Sequence, residues 1–195
     1  MNRCRESGVR VVVALLVSAA VGWPVAAQAE DFGVFGVGGL GIGGGDFAGI
    51  PDFETGWGVF GDFGATYMED DFAFLVSVLL TYLRTADGEG DQRVVTVGNF
   101  YGATAGLGLG DDGAMGFVRG GLGFGTRGED ATPDGEYKAV TRDRGLAAMA
   151  GVGFSLVTPR EGLAAEVGLD WVQLFSGQGS GYALGYIGMG FAFGD

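Results

Sequence analysis

The chain has 195 residues, of which 42 are glycine and none is histidine, and its formal net charge is −13. The acidic charge argues against a nucleic-acid partner, because phosphate binding needs a basic surface. The lack of histidine excludes histidine-based acid–base catalysis, histidine metal ligands and nucleophiles activated by histidine. We expect a non-enzymatic protein without a cofactor or a metal site.

Residues 1–29 have the features of a secretory signal peptide. Three arginines precede the short apolar run VVVALLVSAAVG, and Ala27-Gln28-Ala29 forms a small-x-small cleavage site. The run is shorter than the roughly 20 apolar residues that a membrane-spanning helix needs. Cys4 lies ahead of the run, so the exported part of the chain, residues 30–195, contains no thiol.

The exported chain begins with a glycine-rich stretch, in which Gly36-Val37-Gly38-Gly39-Leu40-Gly41 matches the G-x-G-x-x-G pattern of dinucleotide-binding loops. In those loops a helix begins at the glycines and directs its amino terminus at phosphate. Here the chain continues as IGGGDFAGIPDF, which is too rich in glycine for a helix. Glycine recurs at positions 41, 43 and 45, and this period of 2 predicts one face of a strand.

Alternation of apolar residues with small or polar ones continues through the exported chain and predicts eight strands. In the third strand, for example, Phe72, Phe74 and Val76 share a face. In the fourth strand Asn99 falls on the apolar face, which makes the phase there less regular. Most of the strands reach the roughly 9–11 residues that a tilted strand needs to cross a bilayer. The predicted strands cover residues 32–44, 55–67, 72–84, 93–109, 114–127, 143–157, 162–175 and 181–193.

The connections between these strands alternate in length. Residues 68–71, 110–113 and 158–161 form short connections, whereas 45–54 and 128–142 form long ones. Short turns at one end, longer loops at the other and an even number of strands are typical of an outer-membrane barrel. This arrangement places both ends of the exported chain on the periplasmic side.

The two faces of the predicted strands differ in a way that favours a membrane. One face is apolar, and the other consists of glycine, alanine and serine with a few charges. The small face suits the inside of a narrow barrel, so the apolar face is expected to meet lipid, and closure pairs every backbone group. Aromatic residues near the strand ends predict girdles at the two membrane boundaries. These residues are Trp57, Tyr67, Phe72, Tyr82, Trp171, Tyr182 and Phe193.

With these features the chain resembles the small eight-stranded outer-membrane barrels of the OmpA transmembrane domain, OmpX and opacity-protein type. The resemblance covers residues 30–195, and the ending YALGYIGMGFAF is similar to the aromatic strand that such proteins present to the barrel assembly machinery. It implies an all-β, antiparallel, up-and-down transmembrane barrel in the outer membrane. It also implies a monomer whose partners are outer-membrane lipids, lipopolysaccharide and, during insertion, the assembly machinery.

Four charged residues fall on the inward face by the same phase: Asp62, Arg119, Glu166 and Asp170. Charges inside a narrow barrel must pair, because an isolated buried ion costs several kcal/mol. Barrels of the OmpA type carry arginine–carboxylate pairs inside, so the resemblance implies a salt-bridge cluster in the lumen. A catalytic carboxylate pair is the less favoured alternative, since no base of another type is present.

The expected role is structural or interaction-based, with envelope integrity, display of acidic loops and adhesion as its forms. Segments 45–54 and 128–142 are the expected recognition surfaces. The acidic segment Asp87–Asp91 does not complete a calcium-loop pattern, because Gln92 stands where glycine is needed. Acidic loops could still bind divalent ions that bridge lipopolysaccharide. A narrow channel and a soluble periplasmic barrel that binds a small apolar ligand are the alternatives.

Overall fold

The chain forms a closed β-barrel in which each strand pairs with the next and β8 returns to β1. The computed structural model describes residues 32–45, 54–87, 94–111, 113–131, 138–158, 162–176 and 181–194. All eight strand pairs are antiparallel. The predicted fold class is therefore confirmed. The predicted signal peptide, residues 1–29, lies outside the described residues.

The strands fall close to the predicted ranges. Their bounds are β1 Phe32–Gly45, β2 Glu54–Glu69, β3 Phe72–Asp87, β4 Val94–Asp111, β5 Ala114–Ala131, β6 Lys138–Thr158, β7 Leu163–Leu174 and β8 Gly181–Gly194. The glycine-rich stretch that matches a dinucleotide motif lies within β1, as its period of 2 predicts. No helix in the described part of the chain is long and apolar enough to cross a membrane.

The strands are strongly tilted, as a narrow barrel requires. A trail of paired residues that leaves β1 at Val34 returns to β1 at Gly44, so the ladder is displaced along the strands by one circuit. The trail runs through Ala65, Val76, Ala105, Gly120, Ala150, Trp171 and Ala183. In closed barrels this displacement goes with a strand tilt of about 35–45°.

The two ends of the barrel differ in their connections. At one end the strands are joined by the short segments 70–71, 112–113 and 159–162, and both β1 and β8 have their free ends there. Asp70 adopts a positive φ of 54° in the first of these turns, a conformation that aspartate tolerates better than most residues. The other end, here called the loop end, carries the connections 46–53, 88–93, 132–137 and 175–180.

The predicted recognition segment 128–142 is wrong in its extent. β5 continues to Ala131 and β6 begins at Lys138, so only residues 132–137 connect them. The added residues, GEDA at 128–131 and KAVTR at 138–142, lack the apolar alternation from which strands are predicted. The segment 45–54 likewise contains the last residue of β1 and the first of β2. Its residues 46–53, and most of Asp87–Asp91, lie outside the described residues.

The outer face of the barrel is a continuous apolar surface. Leu40, Ile42, Leu122 and Met189 are each exposed over 66–73% of their surface. Aromatic rings lie towards both ends, and on β2 they are Trp57 and Tyr67. At about 3.3 Å per residue and a tilt of about 40°, these two rings lie about 25 Å apart along the barrel axis.

One member of the predicted aromatic girdle is placed wrongly. Tyr182 faces the lumen, where it is buried and its hydroxyl forms a hydrogen bond with Thr81 Oγ1 at 2.5 Å. The alternation along β8 explains the error, because Ile187, Met189 and Phe191 face outward and even-numbered residues therefore face inward. Asn99 does lie on the outer face, where its side-chain amide donates to Thr126 Oγ1 at 3.0 Å.

The inward glycines make room for large side chains from other strands. A Cβ atom added to Gly188 would lie 2.5 Å from the Phe60 ring, and one added to Gly98 would lie 3.0 Å from the Tyr182 ring. Both distances are too short for an ordinary carbon contact. The lumen is therefore narrow and filled, because rings and aliphatic chains occupy the space that the glycines leave.

Candidate functional site

A charged cluster lies in the middle of the lumen around Arg119 of β5. The structure brings together all four charged residues that the sequence places on the inward face. Their side chains come from three strands, and each is 7% exposed or less. Asp62 lies on β2, whereas Glu166 and Asp170 both lie on β7. Three carboxylates thus surround one guanidinium.

Arg119 and Asp170 meet across an intervening strand because that strand offers a glycine. Arg119 pairs in register with Gly151 of β6, and Gly151 pairs in register with Asp170 of β7. Arg119 Nη2 donates to Asp170 Oδ2 at 2.8 Å, and Nε donates to Oδ1 at 3.1 Å. A Cβ at Gly151 would overlap the Asp170 carboxylate. The two-pronged ion pair therefore depends on the missing side chain at position 151.

The guanidinium also contacts Asp62 and Tyr186. Arg119 Nη1 donates to Asp62 Oδ2, and the same nitrogen lies 3.9 Å from Glu166 Oε1. Arg119 Nη2 also donates to the Tyr186 hydroxyl at 2.7 Å, and that hydroxyl donates to Glu166 Oε1 at 2.8 Å. Tyr186 thus links the guanidinium to the most distant of the three carboxylates.

Aromatic rings enclose the cluster from the sides. The Arg119 guanidinium carbon lies 5.4 Å from the centre of the Phe117 ring and 5.6 Å from that of Tyr186. Phe60 packs on Tyr186 with the ring centres 4.1 Å apart. Such contacts stabilise a cation that has left water. The sequence analysis missed Tyr186 and Phe60, although both share the inward phase of their strands.

Apolar side chains fill the lumen on both sides of the cluster. Towards the loop end Leu83, Leu174 and Leu184 are 0–2% exposed. Towards the other end Ala73 and Ala164 are 1–4% exposed. This filling argues against the narrow-channel alternative, because buried side chains are packed on both sides of the cluster.

A small pocket opens at the loop end, above Leu83 and Leu174. Thr85, Thr96 and Arg127 contribute its polar groups. Its water-accessible volume is about 20 Å³, which is close to the space that a single water molecule needs.

The arrangement of the cluster is suited to stabilising the barrel. The carboxylates surround a guanidinium, and the buried hydroxyl of Ser77, which lies beside Asp62, forms a hydrogen bond with Thr104 Oγ1 at 2.7 Å. Within the described part of the chain, no three cysteine, aspartate or glutamate side chains are arranged to hold a metal ion. Polar groups in a dry interior stabilise the native state only when they are well paired. Arg119 contacts all four other members of the cluster, namely Asp62, Glu166, Asp170 and Tyr186.

The sequence matches no protein-family model and no curated protein. Solved structures are similar in fold. The attachment invasion locus protein Ail of Yersinia pestis is 15% identical with a TM-score of 0.54, and the match covers 85% of this chain and 100% of Ail. The predicted likeness to small eight-stranded outer-membrane barrels is thereby confirmed for the fold.

Two further solved structures match at lower similarity. Neisserial surface protein A is 14% identical with a TM-score of 0.47, over 83% of this chain and 96% of the neisserial chain. The N-terminal β-barrel domain of Pseudomonas aeruginosa OprF is 19% identical with a TM-score of 0.42, over 85% of this chain and 100% of that domain.

Proposed function

We propose that the chain is a non-enzymatic β-barrel of the bacterial outer membrane. It has a structural role and interacts with partners through its loop end. The observation that carries the proposal is the outer face, where large apolar side chains are exposed all around a closed barrel. Exposure of such a surface to water would be unfavourable, and contiguous apolar patches above a few hundred Å² are rare on soluble proteins. The spacing of about 25 Å between Trp57 and Tyr67 suits the apolar band of outer-membrane barrels.

The soluble periplasmic alternative is less compatible with this surface. A soluble barrel that binds an apolar ligand would keep its apolar face inside and an open cavity at its centre. Here the centre is filled by Arg119, its carboxylates and packed apolar side chains, and a second set of large apolar residues is exposed on the outside. A catalytic role is disfavoured for the same reason, because the buried charges are paired with each other and enclosed.

The orientation and the partners are part of the same proposal. The loop end faces the cell exterior, the start of β1 and the end of β8 face the periplasm, and residues 1–29 are removed on export. Lipopolysaccharide and other outer-membrane lipids surround a monomeric barrel. The barrel assembly machinery receives β8, whose outward side chains end in Phe191 and Phe193. Adhesion through the loop end is one form of the role, since a protein of similar fold is named for attachment and invasion.

Cell fractionation combined with gel mobility tests the proposal. We expect the full chain, expressed in a Gram-negative host, to remain in the membrane pellet after an alkaline carbonate wash. We also expect the unboiled protein to migrate differently from the boiled one, because a closed barrel resists detergent until heated. A protein that stays in solution without detergent and shows no difference on boiling would contradict the proposal.

A further inference from the structure

A row of polar side chains crosses the outer face of four adjacent strands near the loop end. Asn99 of β4 pairs in register with Thr126 of β5, which pairs with Arg144 of β6. On β3, Arg84 lies two residues beyond Tyr82, the register partner of Asn99. All four residues share the outward phase of their strands, and Asn99 donates a hydrogen bond to Thr126. We call Arg84, Asn99, Thr126 and Arg144 the outer polar row.

Aromatic residues lie directly beneath the outer polar row. Tyr82 follows Arg84 towards the middle of the barrel, Tyr101 follows Asn99, and Phe124 follows Thr126. The Tyr101 and Phe124 rings are stacked with their centres 6.0 Å apart. Beyond these rings the outer face is apolar, with Leu107 and Leu122 more than half exposed. Tyrosine at such a boundary marks the depth of the lipid headgroups.

Among the residues whose side chains the structure describes, the opposite wall has no equivalent of this row. At the same height the outward residues of β7, β8, β1 and β2 are Gln173, Ala183, Gly44 and Thr55. None of these four is charged. Arg127, which is also near the loop end, faces the barrel mouth instead. At the other end of the barrel the exposed charges among the described side chains are acidic and belong to Glu69, Asp70 and Asp71. The described cations of the outer face therefore lie on one wall at one depth.

The chemistry of the row fits a headgroup that carries both phosphate and sugar. Guanidinium groups bind phosphate oxygens through paired hydrogen bonds, and amide and hydroxyl groups bind sugar hydroxyls. The four strands are separated by about 4.8 Å each, so the row spans about 14 Å. This length exceeds a single phosphate and places an arginine near each end with neutral groups between them.

We propose that the outer polar row binds the phosphorylated sugar headgroup of an outer-leaflet glycolipid. This inference rests on the proposed function, since it requires the loop end to lie in the outer leaflet. The tyrosine and phenylalanine rings beneath the row contact the upper part of the acyl chains. The barrel thereby has a preferred lipid-binding wall, formed by β3 to β6, and a wall without lipid preference.

Lipid retention by the refolded protein tests this proposal. The exported chain is reconstituted in phosphatidylcholine nanodiscs that contain a small fraction of diphosphoryl lipid A, and the lipids that stay bound are counted by native mass spectrometry. Parallel samples contain dephosphorylated lipid A, phosphatidylglycerol or added inorganic phosphate. We expect retention of diphosphoryl lipid A above all three, without displacement by inorganic phosphate.

Three variants distinguish lipid binding by the outer polar row from a general effect of positive charge. We expect R84Q/R144Q to reduce the apparent affinity for diphosphoryl lipid A by about tenfold, since each arginine near a membrane surface attracts anionic lipid. R84K/R144K keeps the charge but loses the paired hydrogen bonds, and we expect an intermediate affinity. R127Q is the matched control, because it removes a cation at the same end of the barrel that faces the mouth.

The possible failures are distinguishable. Equal retention by wild type and R84Q/R144Q, an equal loss in R127Q, or equal retention of phosphatidylglycerol would each overturn the lipid site. Those outcomes leave the proposed function standing if the protein still enters the nanodiscs and shifts on boiling. A wild-type chain that does not enter a bilayer would overturn both.

Discussion

The inner and outer faces of the same strands follow different rules. On the outer face, residues such as Leu122 and Ile187 project into the surroundings with few specific partners. On the inner face several large side chains occupy space left by a glycine on another strand, as Phe60 does against Gly188. The outer face therefore needs only the right polarity, whereas the inner face needs complementary shapes and charges. Substitutions of one residue type on both faces test this difference.

Loss of the central cation should have the largest effect. We expect Arg119→Ala to lower the free energy of unfolding by about 3–5 kcal/mol, because three carboxylates remain buried without their common partner. Urea unfolding of the barrel in lipid vesicles, followed by tryptophan fluorescence, measures this loss. Arg144→Ala on the outer face is the control, with an expected change within about 0.5 kcal/mol. Equal losses in the two variants would show that the cluster does not stabilise the barrel.

A charge on the outer face should be costly in proportion to its depth. We expect Leu169→Arg, near the middle of β7, to cost about 2–4 kcal/mol and Gln173→Arg, near the loop end of the same strand, about 0–1 kcal/mol. The same urea titration provides both values. If the two substitutions cost the same, the outer face does not lie in a bilayer at the depth proposed above.

A methyl group should be harmful on the inner face and harmless on the outer one. We expect Gly151→Ala to cost about 1–3 kcal/mol, because the new Cβ displaces the Asp170 carboxylate from Arg119. At Gly120, one residue after Arg119, the nearest atom to a new Cβ is 3.7 Å away, which is an ordinary contact. Gly120→Ala should therefore leave the urea midpoint unchanged or slightly higher. Equal losses of stability in Gly151→Ala and Gly120→Ala would contradict the expected difference between the two faces.

The smallest expected effect concerns the inward tyrosine near the loop end. Tyr182→Phe removes the hydrogen bond to Thr81 and leaves that buried hydroxyl without a partner, so we expect a loss of about 1 kcal/mol. Tyr101→Phe on the outer face should change the stability by less than about 0.5 kcal/mol. A double-mutant cycle with Thr81→Val measures the coupling. Additive losses would indicate that the hydroxyl pair contributes nothing.

The fold could be predicted because the alternation of side chains survives wherever the two faces meet different surroundings. Phe72, Phe74 and Val76 face outward and Ala73 faces inward, as their spacing indicates. Near the loop end this contrast disappears, since both faces of β5 and β6 carry polar residues there. The strand ends at Ala131 and Lys138 therefore had no signature in the sequence.

The candidate site could be predicted only in part, because alternation gives the face of a residue but not its neighbours. The inward positions of Asp62, Arg119, Glu166 and Asp170 follow from their phase. The role of Gly151 does not, since it depends on the register that places it between Arg119 and Asp170. Tyr186 was missed because its partners, Arg119 and Glu166, lie on other strands and far away in the sequence.

The contacts across the lumen also determine the order in which the barrel can form. Asp62 of β2 reaches Arg119 of β5, and Thr81 of β3 reaches Tyr182 of β8, so neither pair can meet in a flat sheet. Neighbouring strands can pair first, whereas these links wait until the sheet has rolled up. We expect these links to form after the rate-limiting step, so that their loss mainly accelerates unfolding. The contacts across the lumen are thus expected to form last during assembly and to break first during unfolding.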